Sequence, residues 1–141
     1  MTLQPIRILI NVLDDQEWLL ELIKDIFHDD QTWIVQTYNK PDSFIAAFND
    51  NVDLVISDIR VEGYDVVETL RQFAKINPSC YLVVMSAYLD DMYDTLINEV
   101  GVDKTVKKTE DYNWIEVLKK RVEELKPKIL DKPKFKIKND F

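Results

Sequence analysis

Five short apolar runs, alternating with segments of helical repeat, constrain this chain more than any other feature. Residues 6–13 (IRILINVL), 32–38 (TWIVQTY), 52–57 (VDLVIS), 81–85 (YLVVM) and the weaker 102–106 are of strand length and rich in β-branched or aromatic residues. After the first run, Leu19, Leu22, Ile23, Ile26 and Phe27 recur at helical spacing, with Asp15 as the expected N-cap. Pro41 opens a second helix bearing Phe44, Ile45 and Phe48, and residues 64–73 carry Val66, Val67, Leu70 and Phe73. A fourth helix is predicted over residues 89–99, stopped by Gly101, and a fifth from about Asp111 to Pro127. Strands joined by helical crossovers pair in parallel and put helices on both faces of the sheet. The pattern therefore predicts a doubly wound α/β sandwich of five βα units.

Composition narrows the chemistry. A length of 141 residues with 46% hydrophobic residues fits one domain with its own core. A single cysteine, Cys80, excludes a disulfide framework and a cysteine zinc cluster, and a single histidine, His28, excludes histidine-rich metal sites. Two glycines cannot assemble a phosphate-binding glycine loop. No apolar run reaches membrane-spanning length and Met1–Gln4 has no signal-peptide pattern, so a cytoplasmic domain is expected. The net charge of −8 disfavours nucleic-acid binding by the body of the chain. Charge is also uneven: residues 1–70 hold fourteen acids against four bases, whereas residues 126–141 hold six lysines against two aspartates. The expected organisation is a domain over residues 1–126 and a flexible basic tail over 127–141, which has little apolar area to offset its ordering entropy.

In open parallel sheets, ligands bind beyond the carboxyl ends of the strands. At those ends this sequence places Asp14–Asp15, Asp58, Ser86 and Lys107–Lys108. Three crowded carboxylates repel one another, and a divalent cation relieves the repulsion. Mg²⁺ suits the set best, because it takes one or two carboxylates with waters and a phosphoryl oxygen. A carboxylate beside the cation can attack phosphorus, and the added charge then calls for an ammonium and a hydroxyl. Adjacent strand residues point to opposite faces, so only one of Lys107 and Lys108 can serve the site.

These residues, in this order and spacing, give a sequence that resembles the response-regulator receiver family over residues 6–125. The resemblance rests on Asp14–Asp15, Asp58 within DLVISDIRVEGYD, Ser86–Ala87 after an apolar strand, and Lys108 within GVDKTVKK, 22 positions beyond Ser86. It implies a flavodoxin-like (βα)5 sandwich with strand order 2-1-3-4-5. It implies phosphorylation of Asp58 by a sensor histidine kinase or histidine phosphotransfer protein. Asp15, Asp58 and the backbone carbonyl of Arg60 would hold Mg²⁺, with Asp14 acting through water. Ser86 would bind the phosphoryl group and Lys108 would pair with it. The chain would then be a switchable surface for a downstream protein or a second copy of itself, not an enzyme, and would touch neither nucleic acid nor membrane.

Four positions depart from the family pattern: Glu62, Val66 and Thr109 replace proline, glycine and proline, and Thr105 stands where many receivers have an aromatic. They support an alternative, an interaction module that keeps the fold without switching. With Thr105 lacking a ring, Tyr88 is the nearest aromatic substitute, and the helix bearing Asp90, Asp91 and Asp94 becomes the expected output surface. A haloacid-dehalogenase-like phosphohydrolase would need an acid where Arg60 stands, and is excluded. Outside this set, Asn11 is read as a hydrogen-bonded structural amide, His28 as a surface residue and Cys80 as a small packed hydrophobe. Trp18, beside the helix stripe and one turn from Asp15, fits half-exposed packing and a kinase contact equally.

Overall fold

The computed structural model describes residues 6–88 and 92–131. Five strands, β1 (Ile8–Leu13), β2 (Trp33–Tyr38), β3 (Leu54–Asp58), β4 (Tyr81–Ser86) and β5 (Lys104–Lys107), form one sheet of order β2-β1-β3-β4-β5. Every neighbouring pair is parallel. Around the sheet lie α1 (Glu17–Ile26), α2 (Pro41–Ala46), α3 (Val66–Ile76), a π-helical turn over Thr95–Val100, and α4 (Trp114–Asp131). The doubly wound sandwich expected from the alternating pattern is the one observed.

Strand alternation divides the core into two layers. Ile8, Ile10 and Val12 of β1, with Leu54, Ile56, Val83, Met85 and Val106, pack against Leu19, Leu20, Ile23 and Phe27 of the α1 side and the buried stripe of α4. Leu13, Val55, Leu82 and Val84 turn the other way and meet Phe44, Val66, Leu70, Phe73 and Leu96. In that second layer Phe48 and Phe73 stack 3.9 Å apart. Burying each such side chain contributes roughly 1.5–3 kcal/mol, so a central sheet covered on both faces follows from the sequence of near-continuous apolar strands.

Three local expectations need correction. Asp15 does not cap α1: Gln16 is the N-cap without a side-chain bond, and Asp14 Oδ1 takes the Gln16 amide at 2.9 Å. The described part of the fourth helix is a single wide turn in which the Leu96 carbonyl accepts both the Gly101 and the Val102 amide at 3.0 Å. Leu89–Asp91 lie outside the described residues.

The third correction concerns α4, which does not stop at Pro127 but runs to Asp131. Pro127 is on the exposed side, while Leu125 and Ile129, four residues apart, are both buried. The burial of Ile129 offsets the one lost helix bond, so residues 127–131 are part of the fold. Residues 132–141 of the expected tail lie outside the described residues.

Candidate functional site: a carboxylate cluster at the β1–β3 crevice

The strand order reverses between β1 and β3, and Leu13 lies opposite Ser57 in the register. The next residue on each strand is an aspartate, so the sheet itself sets Asp14 beside Asp58. The tight turn into α1 brings Asp15 in from the exposed side. One carboxylate oxygen from each of Asp14, Asp15 and Asp58 lies within 4.8 Å of the others. Asp14 is 0% exposed and Asp58 7%, whereas Asp15 faces solvent. Two acids are thus held in a low-dielectric crevice with a third at its mouth.

The cation comes from β5. Ser86 lies opposite Lys107 in the register, and the Lys108 amide donates to the Ser86 carbonyl at 3.0 Å. Lys107 is exposed, while the Lys108 ammonium reaches Asp14 Oδ2 at 2.6 Å and Asp58 Oδ2 at 3.5 Å. Lys108 is therefore the lysine that reaches the carboxylates. Ser86 is buried on the same rim, its Oγ accepting the Tyr88 amide at 3.0 Å.

Asp58 is raised from the usual 3.8 to about 6. Burial is the main cause and the neighbouring Asp14 adds to it, while Lys108 and the backbone amides of Arg60 and Ile59 pull the other way. The Ile59 amide donates to Asp58 Oδ1 at 2.9 Å. The resulting carboxyl is undercompensated although a lysine is near, because that lysine sits closer to Asp14.

The surroundings include groups the sequence reading did not single out. Tyr112, the one non-glycine residue with positive φ (61°) among the described residues, sets its ring edge-on to Trp18 at 5.5 Å. Together with Trp114, whose ring lies 5.7 Å from the Lys108 ammonium, they border a 260 Å³ hollow beside the site. The aromatics of DYNW, just beyond Lys108, are the signal that could have found it. Across the rim, the Arg60 guanidinium sits 4.8 Å from the Tyr88 ring centre, linking the loops after β3 and β4. Below it, Ser57 Oγ lies 2.8 Å from the Tyr64 hydroxyl. Asn11 is buried, and its side-chain amide, expected to be hydrogen-bonded, has no partner among the described residues.

The family model of the response regulator receiver domain matches residues 10–122. The chain belongs to that family. Sporulation initiation phosphotransferase F of Bacillus subtilis is 25% identical over 77 residues, 55% of this receiver chain and 62% of the relative. The response regulator DrrB of Thermotoga maritima is similar in structure at a TM-score of 0.74 and 20% identity, over 87% of this chain and 54% of that one. This receiver domain thus spans less than two thirds of both relatives. TrrA of Thermotoga maritima, solved in complex with Mg²⁺ and beryllium fluoride, gives a TM-score of 0.67 at 24% identity, covering 84% of this chain and 98% of that one. At these identities the structural likeness establishes the flavodoxin-like fold and its strand order. Among the described residues no helix is long and apolar enough to cross a membrane.

Proposed function

We propose that this receiver domain is a phosphoacceptor that takes a phosphoryl group on Asp58 in a Mg²⁺-dependent reaction and thereby changes an interaction surface. The observation that carries the reading is the convergence of Asp14, Asp15 and Asp58 oxygens within 4.8 Å beside the Lys108 ammonium. Two buried acids and one lysine leave an excess of negative charge, which is the donor set a small divalent cation fits. Asp15, Asp58 and the Arg60 carbonyl would hold Mg²⁺, with Asp14 acting through water. When bound, Mg²⁺ supplies positive charge to the phosphoryl oxygens and lowers the fraction of Asp58 that is protonated.

The residues of the chain do the rest. An Asp58 carboxylate oxygen attacks phosphorus of a phosphohistidine as the P–N bond breaks, and the departing imidazole keeps the bond electrons and takes up a proton from solvent. The product is an acyl phosphate on Asp58. Lys108 approaches the new phosphoryl oxygens from the β5 side, and the Ser86 hydroxyl donates to one of them. The donor is a sensor histidine kinase or a histidine phosphotransfer protein, and the reading locates the chain in the cytoplasm with it. The product signals to a downstream protein and is not turned over as an enzyme would turn over a substrate.

Thr105 is only partly buried on β5, and Tyr88, 61% exposed, is positioned by its amide on Ser86. Movement of Ser86 toward a phosphoryl group would carry Tyr88 with it, which supports a switch routed through the loop after β4 in place of a β5 aromatic. Intact-mass measurement after incubation with acetyl phosphate and Mg²⁺ tests the function. One added phosphoryl group on the parent, and none on Asp58→Asn, is expected. A parent chain of unchanged mass would favour the non-switching interaction module.

A further inference from the structure

The loop from β3 to α3, residues 59–65, follows Asp58 and carries Arg60, and it has no proline to stiffen it. What holds it instead is visible in the hydroxyls beneath it. Ser57 is 0% exposed and faces the layer of Phe44 and Val55, away from the carboxylates. Its Oγ lies 2.7 Å from the Asp58 carbonyl and 2.8 Å from the Tyr64 hydroxyl. A carbonyl only accepts, so the single Ser57 proton goes to Asp58. Tyr64 must therefore donate to Ser57. The bonds run in one direction, from the Tyr64 hydroxyl to Ser57 and from Ser57 to the backbone of Asp58.

Tyr64 is delivered there by a reversal of the chain. Its amide donates to the Val61 carbonyl at 3.2 Å, and Gly63 takes φ +74° at the third position of the turn, where a side chain would be strained. The ring folds back under the loop, edge-on to Phe44 at 6.3 Å, and Asp65 then caps α3 by accepting the Glu68 amide. Tyr64 and Ser57 thus cross-link the far end of the loop to its base. Between them lie the Ile59 and Arg60 amides, which hold the Asp58 carboxylate. We propose that Tyr64, acting through Ser57, is a positioning residue that holds the Asp58–Arg60 segment in its metal-binding conformation. The proposal rests on the functional reading above, since it assigns Tyr64 to the same site.

Tyr64→Phe keeps the ring against Phe44 and deletes only the donor. Calorimetric titration with Mg²⁺ is expected to show binding weakened about tenfold, the low end of the effect of removing a group that orients a ligand. Ser57→Ala should match it, and the double variant should be no weaker than either single one, because both break the same relay. Phosphorylation by acetyl phosphate should need more Mg²⁺ but reach the parent rate at saturation. In metal-free protein, the Ile59 and Arg60 amides should exchange hydrogen faster in Tyr64→Phe, with the thermal midpoint nearly that of the parent. Losses that multiply in the double variant, or unchanged exchange at Ile59 and Arg60, would overturn the proposal. A parent that takes up no Mg²⁺ overturns the functional reading and the metal-positioning role with it. A parent and Tyr64→Phe that bind equally well overturn the Tyr64 role alone.

Discussion

Asp30 and Asp58 are both aspartates with a lysine beside them, and they behave oppositely. At the amino-terminal end of the sheet, Lys126 of α4 reaches Asp30 Oδ2 at 2.6 Å while its ammonium lies 5.4 Å from the Trp33 ring centre. The Lys126 bond and the Thr32 amide pull Asp30 down from 3.8 to about 2. At the other end, Asp58 is pushed up to about 6 with Lys108 only 3.5 Å away. Burial makes part of the difference. The rest is a competing acid: among the described residues Lys126 pairs with Asp30 alone, whereas Lys108 is shared between Asp58 and Asp14 and sits nearer to Asp14. One end of the sheet is closed by a satisfied pair, and the other keeps a carboxyl that gains from a further positive charge.

The sharpest way to break this contrast is Asp58→Asn, which should abolish phosphoryl uptake, as mass spectrometry would show. It should also stabilise the metal-free chain. Because the folded value of Asp58 lies above the unfolded 3.8, the folded state binds the extra proton between about pH 4 and 6. Stability should therefore fall as pH rises through that window, by about 2 kcal/mol, and denaturant titrations should show the slope flatten in Asp58→Asn. An unchanged slope would mean that Asp58 is not the strained carboxyl.

After that loss of function comes Lys108→Ala, which leaves Asp14 buried without its ammonium and should cost about 3 kcal/mol in urea unfolding. Mg²⁺ binding should survive, and phosphorylation or the response to it should fail. Lys107→Ala, at an exposed position, should stay within about 0.5 kcal/mol and leave phosphorylation intact. A reversed outcome for the two lysines would contradict the β5 register.

Asn11 tests whether polar strain is confined to the rim. It lies mid-strand on β1 between Gln36 and Val55, with its amide unpartnered among the described residues. Asn11→Val should raise stability by about 1 kcal/mol by removing a buried polar group that makes no bond. A loss of stability would show that the amide is satisfied.

The smallest effect belongs to the closed end. Asp30 and Lys126 are about one third exposed, so solvent screening limits their pair to about 1 kcal/mol or less. Asp30 is depressed in the folded state, so its contribution is present above pH 4 and lost as pH falls toward 2. Acid titration of Lys126→Ala should lack that loss while phosphorylation is untouched.

The sheet was legible because each strand is a nearly unbroken apolar run and each crossover repeats at helical spacing. Asp14, Asp15, Asp58, Ser86 and Lys108 were legible because strand ends converge on one rim in a parallel sheet, and register placed them there. The helix ends were harder to read. Pro127 reads locally as a stop, yet Ile129, two residues later, is drawn into the core, a gain that depends on where Trp33 and Phe27 stand. Asp15 reads as a cap, but Asp14 takes the amide first.

The chain's own residue order determined the layer architecture, the strand alternation and the identity of the acids at the rim, since these depend on periodicity and on nearest neighbours. Tertiary structure alone decided how charge is shared among those acids. Lys108 is 94 residues from Asp14 and chooses it over Asp58 by 2.6 against 3.5 Å, a preference no spacing encodes. The same holds for Tyr64 donating to Ser57, Tyr112 meeting Trp18 and Lys126 closing on Asp30. Hydrogen-bond direction and desolvation act over ångströms between segments that only the packed sheet brings together, and the strength of each interaction is set there.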